Sequence, residues 1–285
     1  MTQRSKTRRD APRIGKHEAG RVLITGASAG IGSELAREFA RHGHRLTLVA
    51  RRRELLAELA AEIGRDFGVD VKVIVQDLAK PGGAAALAKA AQADGEAVGV
   101  LVNNAGVIDV GPFAKASHDK LAGLVDLNIR ALTELTGLLL PAMVERGFGR
   151  VLNVASLAAF QPVPSMAVYA ASKAYVLSFT EALSEELRGS GVKVTALCPG
   201  LTETSMVSEI QAGSSSAQRL PKGLISDPRD VAAQAYRASM AGRVVIVPGL
   251  PNQITAAWAQ VTPRWVTRMV TGFAARSGDW MKPGG

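Results

Sequence analysis

Residues 21–32 read Arg-Val-Leu-Ile-Thr-Gly-Ala-Ser-Ala-Gly-Ile-Gly, and this stretch decides the fold. Its first five residues have the apolar, β-branched composition of a short buried strand. The glycine-rich turn that follows runs directly into a helical pattern that continues to about His42. A strand, a glycine turn and a helix in this order form a unit that can bind the pyrophosphate of a dinucleotide at the helix N-terminus.

Three glycines of this turn have separate roles in such a unit. Gly26 permits the tight turn, Gly30 removes a side chain where a pyrophosphate approaches, and Gly32 lets helix and strand pack closely. Their spacing is G-x-x-x-G-x-G and differs from the common G-x-G-x-x-G fingerprint. A purely structural glycine-rich turn is the alternative interpretation.

Strand and helix patterns alternate along the rest of the 285-residue chain. Further strands are predicted at 45–50, 71–75, 98–102, 151–155 and 192–198. The alternation predicts an α/β fold with a doubly wound parallel sheet, helices on both faces, and a ligand outside the carboxyl ends of the strands.

The end of the second predicted strand indicates which dinucleotide binds. Ala50 is followed by Arg51, Arg52 and Arg53, and no acid occurs before Glu54. An acid at this point binds the ribose 2′-hydroxyl of NAD, whereas an arginine accommodates the 2′-phosphate of NADP. We therefore predict NADP(H), with Arg51 as the phosphate partner. The alternative is that all three arginines lie on the exposed start of the next helix.

Tyr169 and Lys173 are four residues apart, which places both side chains on one face of a helix. An ammonium close to a phenol favours the phenolate, so we expect Lys173 to lower the pKa of Tyr169 and ease proton transfer. Ser156 follows an apolar strand and offers a hydroxyl for a carbonyl oxygen. Taken alone, the spacing is equally typical of a half-exposed helix face.

Other polar residues follow predicted strands or interrupt apolar patterns. Asp77 comes after the third strand, where it can meet an adenine. The run 103–106, Asn-Asn-Ala-Gly, follows the fourth strand and can fix a loop through side-chain to backbone hydrogen bonds. Both are also common turn compositions. Asn128 lies in the apolar helical stretch 117–144 and needs hydrogen bonds if it is buried, unless it caps or kinks the helix.

Together these motifs resemble the short-chain dehydrogenase/reductase family over about residues 20–250. The motifs that carry the resemblance, in the family's order and spacing, are Thr25–Gly32, Asn103–Gly106, Asn128, Ser156, Tyr169-x-x-x-Lys173 and Pro199-Gly200. The resemblance implies a Rossmann-type sheet that gains a seventh strand at 243–247. It also implies an oxidoreductase that interconverts CH-OH and C=O with a nicotinamide cofactor, as a homodimer or homotetramer.

The resemblance implies a catalytic tetrad of Asn128, Ser156, Tyr169 and Lys173. In reduction, Ser156 would hold the carbonyl oxygen and Tyr169 would donate a proton while the nicotinamide delivers a hydride. Lys173 would bind the nicotinamide ribose and lower the pKa of Tyr169, and Asn128 would hold a water that links Lys173 to solvent. The implied cofactor contacts are Gly26, Ser28, Gly30, Ile31, Gly32, Arg51, Asp77, Leu78, Asn104, Ala105, Gly106, Tyr169, Lys173, Pro199, Gly200 and Thr204.

The net charge of +9 is concentrated at the two ends of the chain. Residues 1–20 contain six basic and two acidic residues, and residues 241–285 contain five basic and one acidic. No nucleic-acid motif accompanies them, so we expect solvated surfaces and no nucleic-acid partner. The single cysteine, Cys198, excludes an internal disulfide, which favours the cytoplasm, and we expect it to be a small buried residue. No apolar run of transmembrane length and no secretory signal are recognised.

We divide the chain into a disordered basic tail (1–20), the Rossmann-type domain (21–250) and a C-terminal amphipathic helical extension (251–285). Pro263 is placed to break the extension into two helices. Its apolar residues at helical spacing are Ile254, Trp258, Val261, Trp265, Met269 and Phe273. Residues 251–276 could lie on a membrane surface, making the protein peripheral to a membrane, cover the substrate pocket, or pack on a second subunit; packing is the commoner role.

The substrate region is predicted from composition. Residues 202–226 are expected to form a mobile lid, because 213–216 is a Gly-Ser-Ser-Ser linker. Apolar candidates around the pocket predict a hydrophobic small-molecule substrate, and they are Val107, Leu157, Phe160, Val163, Met166 and Met206. A non-catalytic NADP(H)-binding scaffold or regulator that docks through the basic ends is the alternative function; the complete tetrad argues against it.

Overall fold

A computed structural model describes residues 20–203 and 225–277, and it contains one seven-stranded parallel sheet in the order β3-β2-β1-β4-β5-β6-β7. The strands are β1 (Arg21–Thr25), β2 (Leu46–Ala50), β3 (Val71–Val75), β4 (Val98–Asn103), β5 (Gly149–Val154), β6 (Val192–Leu197) and β7 (Val245–Ile246). The chain first winds from β1 out to β3, then returns to the centre and winds the other way from β4. The doubly wound parallel fold is therefore confirmed.

Helices cover both faces of the sheet. They are α1 (Gly30–Arg41), α2 (Arg53–Phe67), α3 (Gly83–Ala91), α4 (His118–Val125), α5 (Leu132–Glu145), α6 (Ala167–Glu186), α7 (Pro228–Ala241), α8 (Leu250–Val261) and α9 (Arg264–Ser277). Buried side chains of α1, α2 and α7 pack on one face, and those of α3, α5 and α6 pack on the other. Every residue of β1 and β4 is buried, as expected for central strands that helices cover on both sides.

Helices α4 and α5 form one long rod because a π-helical turn, Asp126–Ala131, joins them without a break. Within the described ranges, this stretch, His118–Glu145, is the one helix long and apolar enough to cross a membrane by length and composition, although the sequence predicted none. Its buried side chains, including Leu135 and Leu139, pack on β4 and β5, in the core on the face of the sheet that α3, α5 and α6 cover. Its apolar character is thus that of a helix that covers a sheet.

The structure differs from the sequence prediction at the two ends of the fold. Strand β7 is only two residues long, shorter than the predicted 243–247, because it pairs with β6 only at Val245 and Ile246. The C-terminal extension is two helices, and Pro263 separates them as predicted. The predicted basic tail, most of the predicted lid, Thr204 and Met206 lie outside the described residues.

Buried amides and hydroxyls link the two central strands to the helices on one face. The Asn103 amide on β4 donates to Asn153 Oδ1 on β5 (2.9 Å) and to Thr136 Oγ1 on α5 (3.0 Å). The Asn153 amide donates to Thr180 Oγ1 on α6 (2.9 Å). All four residues are almost completely buried, so each hydrogen bond replaces one that water can no longer supply.

Replacing Asn153 with alanine should lower the free energy of unfolding by about 2 kcal/mol, because the Asn103 amide loses a buried acceptor and Thr180 loses a donor. Urea unfolding followed by circular dichroism measures this change. Lys120→Ala, an exposed substitution on α4, is the control and should change the free energy of unfolding by less than about 0.5 kcal/mol. An unchanged urea midpoint for Asn153→Ala would show that the network contributes little to stability.

Candidate active site

The turn between β1 and α1 leaves no room for side chains at two of its glycines. A Cβ at Gly26 would lie 2.8 Å from Ala105 Cα, and a Cβ at Gly32 would lie 2.3 Å from the carbonyl oxygen of Gly26. Gly30 is the first residue of α1 and has a positive φ of 59°. The backbone N–H groups at the start of α1 therefore face the space beyond the sheet without side chains in the way, which suits an anion.

Asn104 and Thr25 join this turn to the end of β4. The Asn104 amide donates to the carbonyl oxygens of Thr25 (3.0 Å) and Gly26 (3.1 Å). The Thr25 hydroxyl accepts from the backbone N–H groups of Asn104 and Ala105, both at 3.0 Å, and donates to Val102. Asn104 therefore fixes this loop through side-chain to backbone hydrogen bonds, as predicted for the Asn-Asn-Ala-Gly run.

Ser156, Tyr169 and Lys173 lie together at the carboxyl end of β5. Ser156 caps a short 3₁₀ helix (Leu157–Phe160), accepting from the N–H of Ala158, and its side chain also hydrogen-bonds Tyr169. Lys173 Nζ donates to the carbonyl oxygen of Val154 (2.8 Å) and lies 5.7 Å from the centre of the Tyr169 ring. Both Tyr169 and Lys173 lie on α6, one turn apart, and both are buried.

Burial dominates the protonation of this pair. It raises the pKa of the Tyr169 phenol, and the hydrogen bond with Ser156 opposes that rise. It lowers the pKa of Lys173 to about 8. The structure therefore reverses the predicted direction for Tyr169, because removing the phenolate from water costs more than the hydrogen bond with Ser156 returns. Tyr169 is consequently a protonated phenol at neutral pH.

Asn128 lies in the π-helical turn and holds the chain that follows the Asn-Asn-Ala-Gly run. Its Oδ1 accepts from the N–H of Val107 (3.0 Å), and its Nδ2 donates to the carbonyl oxygen of Val107 (3.0 Å) and to Ser172 Oγ (3.1 Å). Asn128 is therefore a buried, fully bonded amide rather than a helix cap. A Cβ at Gly106 would lie 3.2 Å from Asn128 Oδ1 and 3.4 Å from Lys173 Nζ, so these groups converge on one backbone position.

A single cavity of about 430 Å³ connects these features along the carboxyl ends of the strands. The predicted cofactor residues that line it are Gly26, Ser28, Gly30, Ile31, Arg51, Asp77, Leu78, Asn104, Ala105, Gly106, Tyr169, Lys173, Pro199 and Gly200. Gly32 and Asn128 do not line it and act through packing and hydrogen bonds. Ser156 lines it beside Tyr169.

The far end of the cavity is mostly apolar. Of the predicted substrate residues, Val107, Leu157, Val163 and Met166 line it and Phe160 does not. Sequence reasoning missed several lining residues, namely Ile108, Leu127, Ala158, Gln161 and Leu201. Ile108 was recognisable as the apolar continuation of the Asn-Asn-Ala-Gly-Val run, whereas no pattern marks the others.

Arginines lie at the opposite end of the cavity. Arg51 and Arg52 both line it and are exposed, and Arg52 donates to Ser28 Oγ (2.9 Å). Within the described ranges, neither arginine is paired with a carboxylate. Arg53 is the first residue of α2 and does not line the cavity. Sequence reasoning named Arg51 and missed Arg52, whose contact with Ser28 depends on how the two βα turns pack side by side.

Cys198 is fully buried behind the site, as predicted, and burial raises the pKa of its thiol to about 12. Gly200, two residues later, packs against the C-terminal extension. A Cβ at Gly200 would lie 2.5 Å from Asn252 Oδ1 on α8. The extension therefore supports the wall of the cavity at Gly200 from behind.

A profile of the short chain dehydrogenase family matches residues 20–215, more than half of the chain. The chain belongs to the short-chain dehydrogenase family. It is an oxidoreductase of the class that acts on CH-OH and C=O groups, and the motifs that resembled this family in the sequence all lie in or next to the cavity.

Known members resemble this short-chain dehydrogenase along most of its length. It is 35% identical over 259 residues to the ketoacyl reductase HetN of Nostoc sp., with 88% of each chain covered. A short-chain dehydrogenase from Sphingobium yanoikuyae, solved in complex with NADPH, superposes with a TM-score of 0.75 at 32% identity, covering 93% of this chain and 98% of the other. The bulky-bulky ketone specific alcohol dehydrogenase from Comamonas testosteroni superposes with a TM-score of 0.72 at 29% identity, covering 90% and 94%.

In this short-chain dehydrogenase, Lys173 should lose its proton at a midpoint near pH 8, because burial disfavours the ammonium. ¹³C NMR of protein labelled at lysine Cε measures the midpoint, and the resonance absent from Lys173→Met identifies the residue. The other lysine resonances in the same spectrum provide the reference, because the ordinary pKa of a lysine side chain is about 10.4. A Lys173 midpoint above about 10 would contradict the dominance of burial.

Proposed function

We propose that this protein is an NADP(H)-dependent oxidoreductase that interconverts a carbonyl and an alcohol of a hydrophobic substrate, with Tyr169 as the acid and base. The observation that carries the proposal is the position of the Tyr169 phenol. The phenol is buried within the protein, is hydrogen-bonded with Ser156 and lies one helical turn from Lys173. It also lines the cavity, whose far end is apolar. Such a phenol is a proton donor held where a carbonyl oxygen fits.

The residues present fit a nicotinamide dinucleotide. Gly26 and Gly106 leave the backbone bare along one wall, and the start of α1 offers N–H groups to a pyrophosphate. Arg51 and Arg52 supply positive charge where a ribose 2′-phosphate would lie. Asp77 and Leu78 line the cavity beside them and suit an adenine. When bound, the dinucleotide supplies the hydride that the protein itself cannot provide.

Each residue of the tetrad has a task in reduction that its surroundings favour. Ser156 donates a hydrogen bond to the substrate carbonyl oxygen, and Tyr169 transfers its proton to that oxygen. Lys173 is held by the Val154 carbonyl at the edge of the cavity, where its ammonium can bind ribose hydroxyls and stabilise the phenolate that forms. Asn128 keeps Val107 and Gly106 in place, so that the wall opposite Tyr169 does not move.

The substrate end of the cavity favours an apolar carbonyl compound. Val107, Leu157, Val163 and Met166 exclude water around the reacting carbonyl. Gln161 adds a side-chain amide there and has no hydrogen bond to another described residue, so it can bind a second polar group of a substrate. The names of the similar ketoacyl reductase and bulky-ketone dehydrogenase agree with this class of substrate.

Several expectations from the sequence stay predictions. These are the cytoplasmic location, the homodimer or homotetramer, and the division of the chain after residues 20 and 250. The role of Thr204 near the cofactor phosphates also stays a prediction. The scaffold alternative would regain support if Tyr169→Phe left the function of the protein in cells unchanged.

Tyr169→Phe should lower kcat for ketone reduction about 10²–10⁴-fold, because it removes the proton donor and keeps the ring that packs in the site. NADPH oxidation at 340 nm is followed with a 3-oxoacyl thioester and with a bulky aromatic ketone. Tyr175→Phe, on the exposed side of the same helix, is the matched control and should leave kcat unchanged.

NADPH affinity should be retained in Tyr169→Phe, which separates loss of chemistry from loss of the site. Full activity of Tyr169→Phe would contradict the assignment of Tyr169 as the acid and base. A wild-type protein that binds NADPH but reduces neither ketone class would favour the scaffold.

Arg51→Ala and Arg52→Ala should each weaken NADPH binding about tenfold or more and leave NADH binding unchanged, because only NADPH carries the 2′-phosphate. Fluorescence titration with both dinucleotides measures the two dissociation constants. Arg53→Ala removes the same charge one position along, outside the cavity, and should change neither. Equal affinity of the wild type for NADH and NADPH would remove the phosphate assignment.

A further inference from the structure

Helices α8 and α9 present large apolar side chains to solvent. The most exposed of them are Leu250 (68%), Ile254 (63%), Val261 (82%), Trp265 (60%), Met269 (60%) and Phe273 (69%). On α9, Trp265, Met269 and Phe273 follow at intervals of four residues and so form a continuous stripe. Isolated apolar residues on a surface are ordinary, whereas a stripe of this size marks a contact surface.

The buried positions of α9 hold only small or polar residues. They are Thr267, Gly272 and Ala275. The usual amphipathic arrangement is thus inverted, with tryptophan and phenylalanine outward and threonine and glycine inward. Because exposing large apolar groups to water is unfavourable, this helix is suited to a second apolar phase outside the protein.

Charges on the extension indicate what that phase is. Arg264 and Arg268 come one residue before Trp265 and Met269, and therefore lie along one edge of the stripe, while Arg276 lies one turn beyond Phe273. Residues 250–277 contain no aspartate or glutamate, although the chain has 25 acidic residues. The surface is apolar at its centre and exclusively positive at its edge.

We infer that α8 and α9 form a docking surface for an anionic lipid bilayer, with the apolar stripe inserted among the acyl chains and the arginines at the headgroups. Helices with an apolar face, tryptophan and flanking arginines lie in the plane of such an interface. Anionic headgroups provide the negative charge that α8 and α9 lack.

A second copy of this chain fits the same surface less well. A two-fold interface places a patch against itself, so the arginines of both copies would approach one another. Residues 250–277 contain no acidic residue to pair with them. A bilayer buries the same apolar stripe and neutralises the arginines at the same time.

The surface is joined to the candidate active site. The first turn of α8 packs its Asn252 against Gly200, and α8 also contacts the 3₁₀ helix Leu157–Phe160. Among residues 20–203 and 225–277, no residue of α8 or α9 lines the cavity, so neither helix enters it. Docking through α8 and α9 would therefore place the bilayer beside the substrate end of the cavity without blocking it.

Cosedimentation of the full-length protein with vesicles tests the inference. The vesicles are phosphatidylcholine alone or phosphatidylcholine mixed with phosphatidylglycerol, at low and at physiological salt. We expect binding to the mixed vesicles and weaker binding to phosphatidylcholine alone. Substituting Trp265, Met269 and Phe273 with serine together should abolish binding, because the inserted surface is lost.

Charge is tested separately with matched variants. The triple variant Arg264→Gln, Arg268→Gln and Arg276→Gln should weaken binding about fivefold for each arginine removed. The control variant Arg65→Gln, Arg188→Gln and Arg229→Gln removes the same charge from exposed positions on the body and should bind like the wild type. Thermal unfolding and NADPH binding verify that every variant folds, and vesicle binding needs no turnover, so it stands apart from the proposed reaction.

Three results would overturn the inference. The first is a wild type that does not bind mixed vesicles. The second is a change in where vesicle binding is lost: either the body control loses as much binding as the α9 arginine variant, or both α9 variants bind fully. Either outcome would place vesicle binding elsewhere, such as on the basic residues 1–20. The third is an oligomer that dissociates only in the serine variant while vesicle binding is absent, which would assign the stripe to a second copy.

Discussion

The contact between the ends of β1 and β4 is the constraint on which the rest of the site depends. Thr25 and Asn104 exchange side-chain and backbone hydrogen bonds across these two strands, at the point where the sheet reverses its winding direction. Asn104 occupies the place that side chains at Gly26 and Gly32 would need. Those glycines are therefore required by the protein's own packing, independently of any ligand.

The second half of the site is built on burial. Lys173 is held by a backbone carbonyl, Tyr169 is held by Ser156, and Asn128 holds the backbone of Val107, all at positions where water is largely excluded. Burial keeps the phenol protonated and makes the ammonium easier to deprotonate. The same exclusion of water that shapes the apolar end of the cavity thus sets the protonation of Tyr169 and of Lys173.

Much of this could be predicted from the sequence, because strand and helix patterns are local and the motifs follow strand ends. The central strands, α2 and the break at Pro263 were found where predicted. The contact of Arg52 with Ser28 was not predictable, since it depends on how two separate βα turns meet. The raised pKa of Tyr169 was also not predicted, because the spacing of two residues indicates that they are neighbours but not how deeply they are buried. The helical periodicity likewise located the apolar stripe on α9, but it did not indicate that this stripe faces solvent.

The π-helical turn around Asn128 has a consequence for how this chain can vary. A π turn accommodates one more residue than an α-helical turn in the same length of rod. Deleting one residue of Asp126–Ala131 would return this turn to regular α-helical winding while α4 and α5 kept their present faces, because the extra residue is confined to the turn. Leu124 and the Leu135–Leu139 face would stay in the core. What the deletion would disturb is the backbone that carries Asn128, and with it the hydrogen bonds of Asn128 to Val107 and Ser172.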